Sequence, residues 1–465
     1  MSFATNKILL LIFCACYFSV VAQIEFESYS KSDSLTSINI SSVFVDSKGV
    51  IWAATNNGVN AFTGKRWVGI KSISKSRGND INLGTISNIS ETKNTSIWIS
   101  SDKGLFEFNG KYWTHHSDRD NSGFYVKEII QDSLGFVWIV LEKNRSIKDA
   151  GDLGFSLVEG KLQMYNHKQW YDFPGMIGGS AAVVVGEKKE YFTSSLIDSK
   201  NNLWITSLDG LYIYNQKSWL EYDIEYLSSD KCYKVFETSK NDIWVGTANG
   251  VAKRDGDKWI KYEDDSGIKD NDIYNLFEDK KQRLWAFSKK DNKFKALNLF
   301  RNNKWEAYFD QDLNIKGEVK ELFDFHNKLL AYSNKGISIF DKGKWTNLEE
   351  LYGIEEEDYS EIIMAKDSSV WFTTKTGLYH LNKGKLDKVY TPKKKWRLSY
   401  LYEAPKGDIW LGTEKNGVYI INEQTNTHLT SKNGLVDNHI KNIFTDSGGS
   451  IWIVSKEGIS KYLGK

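Results

Sequence analysis

Seventeen tryptophans and an adjacent histidine pair, His115-His116, are the residues of this 465-residue sequence that first invite a chemical role. Indole rings stack on sugars, and imidazoles bind metals or move protons. Both roles depend on spacing. Adjacent histidines lack the separation of a metal-ligand pair, and the other histidines are scattered along the chain. Aspartates recur at Asp46, Asp132, Asp198, Asp279 and Asp446, but always at one turn position, where hydrogen bonds to nearby backbone account for them. The glycines belong to hairpins and form no phosphate loop. No Gly-x-Ser-x-Gly or His-Glu-x-x-His motif occurs, and Cys232 has no nucleophile motif around it. No catalytic residue, metal ligand or cofactor is therefore expected. Carboxylates are numerous, which leaves a propeller hydrolase or lyase as the least favoured reading, with no acid pair marked.

The elements that position these residues follow from the tryptophans themselves. The unit Asn241-Asp242-Ile243-Trp244-Val245-Gly246-Thr247-Ala248-Asn249-Gly250-Val251, followed by Trp259, recurs along the chain. Its first tryptophan reappears as Trp52, Trp98, Trp138, Trp204, Trp285, Trp371, Trp410 and Trp452. A tenth copy carries Leu330 at that position, with Gly336 and Trp345 in frame. Between turns such as Asp46-Ser47-Lys48-Gly49 and Asn56-Asn57-Gly58, each unit reads as four short strands, A to D. Ten such units imply an all-β protein, a β-propeller of about ten four-stranded blades. The tryptophans of strands B and D are then expected as filler between blades. The last unit lacks a strand D, and Ile24–Tyr29 supplies one: Phe26 stands as far before Asp46 as Trp259 does before Asp279. A ring closed by that strand favours one ten-bladed ring, with two smaller rings as the alternative.

The repeat resembles the two-component regulator propeller, of the form Asp-x-x-Gly-x-Ile-Trp-x-Gly-Thr-x-x-Gly-Leu. The resemblance covers the chain after its first 22 residues and implies the periplasmic sensor part of hybrid two-component systems of Bacteroidetes-like bacteria. Sensors of that family carry about fourteen blades in two rings, then a β-sandwich, a membrane helix and a kinase. This chain has ten units and ends at Lys465, so kinase activity does not carry over to it.

Function is sought where the repeat breaks. The longest B–C insertion, residues 141–158 of the third unit, holds Arg145, Asp149 and Asp152, and the longest D–A connection follows at residues 174–189. Trp396, the one tryptophan outside the frame, lies beside Arg397 in another D–A connection, and His115 and Tyr125 flank a third. B–C loops and D–A connections share a face of a propeller. Aromatic rings among Arg, Asp and His on that face suit an oligosaccharide or a peptide.

The N-terminus carries Lys7, the apolar run Ile8–Phe18 and a small-residue end at Ala22. This reads as a signal peptide over residues 1–22, cleaved before Gln23, with residues 23–465 as the propeller; an uncleaved anchor is the lesser reading. Cleavage leaves no transmembrane segment and equal numbers of acidic and basic residues, so neither nucleic acid nor an anionic membrane is expected as partner. One cysteine remains, which rules out an intramolecular disulfide. The expected protein is periplasmic, secreted or at the cell surface. It is a non-enzymatic, sensor-like propeller signalling through a membrane sensor or envelope protein. The alternative is a structural or docking propeller of an envelope or secretion assembly.

Overall fold

Strand B is the most apolar segment of each unit, and Ile51–Thr55, Ile243–Thr247 and Ile451–Ser455 are buried at every residue. A strand of that kind requires sheet partners on both edges and cover on both faces. The computed structural model describes residues 26–74, 80–116, 125–144, 158–173, 192–290, 293–309, 319–333, 335–354, 359–392, 397–422 and 426–464. The expected signal segment, residues 1–22, lies outside them. Within them, strand B is second in each of ten four-stranded antiparallel sheets. The first blade runs Ile40–Val45, Ile51–Thr55, Gly58–Phe62 and Trp67–Ile70. Blades 2 to 9 span residues 86–115, 125–173, 192–222, 232–262, 272–309, 319–347, 359–390 and 398–429.

Blade 10 is built from both ends of the chain. Phe26–Tyr29 pairs antiparallel with Gly458–Tyr462, Phe26 opposite Tyr462 and Tyr29 opposite Ile459. Each junction between consecutive blades holds an apolar cluster, and the last joins Trp452 and Ile459 of blade 10 to Ile51, Phe62 and Trp67 of blade 1. The ring is single and ten-bladed; the two-ring alternative is set aside. All ten strands A carry a register shift near their start, as between Ile40 and Ser42 or Cys232 and Lys234. Such a bulge adds twist to each inner strand.

The recurring aspartates serve two partners at once. Asp46 Oδ1 accepts the amide hydrogens of Lys48 and Val50 at 2.9 and 2.8 Å, which holds the A–B turn. Its Oδ2 accepts the indole hydrogen of Trp52 at 2.9 Å. The same indole bond recurs at Asp132, Asp198, Asp279 and Asp446, at 3.1, 2.7, 3.0 and 2.8 Å. The turn therefore locks the orientation of the tryptophan two strand positions later. Between blades, an acid at the end of strand A accepts an amide from the preceding A–B turn: Glu91 from Ser47, Glu237 from Ser199, Glu278 from Ser239.

B–C turns bond to D–A connections, as Gly250 N–H does to Asn271 O at 2.7 Å, so these segments share one face, the loop face. A–B and C–D turns occupy the opposite, turn face. Among the described residues, no helix is long and apolar enough to cross a membrane.

Candidate functional site

The strand-B tryptophan of one blade meets the strand-D tryptophan of the next, edge to face. Trp52–Trp113, Trp138–Trp219, Trp244–Trp305 and Trp452–Trp67 have centroids 6.0–6.3 Å apart and ring planes 80–88° from parallel. Trp98–Trp170, Trp204–Trp259 and Trp285–Trp345 complete the series. This arrangement favours the indole quadrupole and closes each junction to water.

The junction of blades 8 and 9 lacks the closing group. Counting from the strand C–D pairing, Asn426 opposite Ile421 stands where Trp67 stands opposite Phe62. The A–B turn of blade 8 has Ala365 in place of the aspartate. Trp371 is consequently the one strand-B tryptophan left half-buried, whereas Trp98, Trp138, Trp285 and Trp452 are 0% exposed. A cleft of about 670 Å³ opens beside it on the turn face, lined by Asp367, His380, Glu403, Lys406, Asp408 and Asn422. That size falls within the ~300–1,000 Å³ of small-ligand sites.

Strand pairing places His380 directly across from Trp371, and the two rings stack with centroids 3.9 Å apart and planes 11° from parallel. Burial lowers the His380 pKa, against the pull of Asp367 and Asp387, so the neutral imidazole is favoured. Burial alone would raise Asp367, but hydrogen bonds from Ser369 and the nearby His380 and His326 hold it below the usual carboxylate range. Glu403 Oε2 accepts the Lys366 amide at 2.9 Å, tying the rim of blade 8 to blade 9. The result is a rigid aromatic wall with a neutral imidazole and a mixed-charge polar rim. It can stack a flat or ring-shaped group and orient it through hydrogen bonds.

The loop-face residues lie elsewhere. His115 stacks on Phe106 at 4.5 Å with its Nε2 3.2 Å from Lys103 O, bracing a B–C turn. Arg397 is exposed, its Nη1 3.8 Å from Glu414 Oε2. Its carbonyl accepts the Glu414 amide at 2.9 Å, which places it on the loop face, opposite the cleft. Tyr125 begins strand A of blade 3. Trp396, Arg145, Asp149 and Asp152 lie outside the described residues. Sequence reasoning missed the cleft because it weighed Trp371 as a framework residue on its own. The signal was Asn426, which lies in the next unit from the tryptophan it fails to cover.

Chemistry of other kinds finds little support. Cys232 is fully buried, and burial pushes its thiol up, the opposite of an activated nucleophile. Among the described residues no group of three or more His, Cys, Asp or Glu is placed to hold a metal ion. Burial raises the carboxyls of Glu321 and Glu361, on strands A of blades 7 and 8.

Residues 34–57 match the family described as two component regulator propeller. Among solved structures, the chain is similar to the extracellular domain of a putative hybrid two-component system from B. thetaiotaomicron, at 18% identity and a TM-score of 0.27, over 92% of this chain and 64% of that one. It thus spans less than two thirds of that domain. A second extracellular domain of that description and organism gives 14% and 0.31, over 94% and 82%. PorZ, a surface component of the type-IX secretion system of Porphyromonas gingivalis, gives 13% and 0.31, over 92% and 74%. At these TM-scores the superpositions carry no argument about ring size or function. No curated protein matches the sequence. One stretch of this ring, residues 34–57 at the start of blade 1, matches the two-component regulator propeller repeat, and the other units carry the same Trp-centred pattern.

Proposed function

We propose that this chain is a non-enzymatic recognition propeller working outside the cytoplasm, which binds an oligosaccharide or a peptide and acts through a partner protein. The repeat supports a sensor-like role, and export is assigned to residues 1–22 as a cleavable signal. One observation carries the binding reading: Trp371 is the only strand-B tryptophan not closed off by the next blade, and it opens into a cleft with a polar rim. A half-buried indole is costly to leave facing water and gains by stacking on a sugar ring or a peptide side chain. The loop face, which carries Arg397, is the second seat for the ligand or for the partner, and Trp396 adjoins Arg397 in sequence.

The test is a glycan and peptide array probed with the mature chain and two variants. Asn426→Trp restores the missing closing ring and fills the cleft; retention of the ligand is expected to fall at least tenfold with the fold intact by circular dichroism. Trp396→Ala separates the loop face, because a loss confined to that variant moves the site there. An array with no retained glycan or peptide, together with a single protein captured by pull-down, overturns the binding reading in favour of docking.

A further inference from the structure

A second recess lies three blades further round the ring from this cleft, along the outer edge of blades 1 and 2. It encloses about 820 Å³ and is lined by Lys31, Lys71, Lys111, Tyr112, Trp113 and three serines, with no acidic residue in its wall among the described residues. In a chain whose formal net charge is +1, three ammonium groups around one recess are a local excess. None of the three lysines forms an ion pair among the described residues.

Comparison with other blades shows how this recess arises. Gly69 is two residues beyond the strand-D tryptophan of blade 1. A side chain there would meet Ser34 O at 2.6 Å and Thr36 Cγ2 at 2.9 Å, so only glycine lets the preceding D–A connection lie this close. Blade 5 has Lys261 at the same position. Its Nζ donates to Ile224 O and Glu225 O at 3.0 and 3.2 Å and covers the corresponding space. Blade 1 has no such side chain reaching over its connection, which lies directly against Gly69. The charge differs as well. Among the described residues three D–A connections contain a 3-10 turn: Lys31-Ser32-Asp33 here, Asp264-Asp265-Ser266 and Ser431-Lys432-Asn433 elsewhere, and only the first places a lysine at the recess while its acid, Asp33, is turned to Ser30. On the facing wall, Tyr112 is 61% exposed, with Lys111 Nζ 4.9 Å from its ring centroid.

We infer that this recess is a binding site for an acidic saccharide, one bearing carboxylate or sulfate groups. The exposed Tyr112 ring offers a stacking surface, the serine hydroxyls match sugar hydroxyls, and the lysines pair with the anionic substituents. The carboxylate side chains of an acidic peptide would satisfy the lysines, but they do not stack on the flat ring beside them. The site is independent of the blade 8–9 cleft and of whatever that cleft holds.

The experiment is titration calorimetry of the full chain with a sulfated oligosaccharide, a uronate oligosaccharide, a neutral oligosaccharide of equal length and a polyglutamate peptide. At least one acidic saccharide is expected to bind, at least tenfold more weakly in the Lys31→Ala/Lys71→Ala/Lys111→Ala variant and several-fold more weakly in Tyr112→Ala. Binding is expected to weaken with added salt, as exposed ion pairs do. The sulfate and uronate arms tell which anion is preferred. The titrations repeated in the Asn426→Trp background, where the cleft is filled, are expected to give unchanged binding, which separates this site from the cleft. Equal binding by the triple-lysine variant, equal binding of the neutral oligosaccharide, or tighter binding of polyglutamate that Tyr112→Ala does not affect would each overturn the inference. So would the absence of binding by either acidic saccharide.

Discussion

The ring has two arcs. From blade 10 through blade 1 to blade 7, every junction closes with a pair of tryptophans set edge to face. From blade 7 to blade 10 none does. Leu330 with Leu386 replaces the pair between blades 7 and 8, and Trp410 closes on Tyr462 at 5.1 Å between blades 9 and 10. Only the junction between these two is left open. The lesson is that a framework tryptophan is a half-site. Whether it becomes core or surface is decided by a residue in the next blade around the ring, as Asn426 decides it for Trp371.

The largest effect expected to break this comparison comes from truncating a tryptophan in each arc. Trp138→Ala removes a fully buried ring and is expected to cost about 3–5 kcal/mol in denaturant unfolding. Trp371→Ala, at the open junction, is expected to cost about 1–2 kcal/mol. Equal losses would mean that the two arcs are energetically alike. The next effect concerns the turn that aims the ring. Asp446→Ala leaves the Trp452 indole hydrogen without its acceptor and uncaps the A–B turn, an expected loss of about 2 kcal/mol. Blade 5 sharpens the point from the other side. Thr238 occupies the aspartate position, and the Trp244 indole nitrogen has no partner among the described residues. Thr238→Asp is expected to raise stability by about 1 kcal/mol, read in the same unfolding assay.

The smallest effect is a pH dependence confined to the open junction. The folded His380 pKa lies below its ordinary value of about 6.5, so the unfolded chain takes up its proton first as pH falls. The contribution is present above that ordinary value and is lost as pH drops through the folded one. Melting temperatures of wild type and His380→Gln, followed from pH 7.5 to 5, are expected to converge on the acid side. Parallel curves would show that His380 has the same pKa in the folded and unfolded chains.

Much of this architecture could be read from the residues alone. The Trp-centred repeat located all ten blades, including the one with Leu330, because strand alternation and turn residues are local properties. Ring closure by Phe26–Tyr29 was legible from spacing for the same reason. The second role of the aspartates, gripping the indole, was not legible: a turn cap needs only its own neighbours, while the indole bond depends on how strand B lies over the turn. The bulge of strand A leaves no mark in composition. The cleft depended on a pairing between units, and a unit-by-unit reading weighs each tryptophan without its partner. The recess beside Tyr112 was missed for a related reason, since Gly69 gains meaning only next to Lys261 of blade 5.

The last blade has a consequence in time. Its outer strand is made first and its other three last, so Ser28 bonds to Gly434 and Ser460 across more than 400 residues of sequence. While the chain is being made, that strand has no sheet to join, and contacts of such range form late and slowly. A chain stalled or cut before Gly458–Tyr462 is complete presents an open edge to its neighbours, the template from which strand-exchanged oligomers grow. The clasp that finishes the ring is also the point at which an unfinished copy would recruit another.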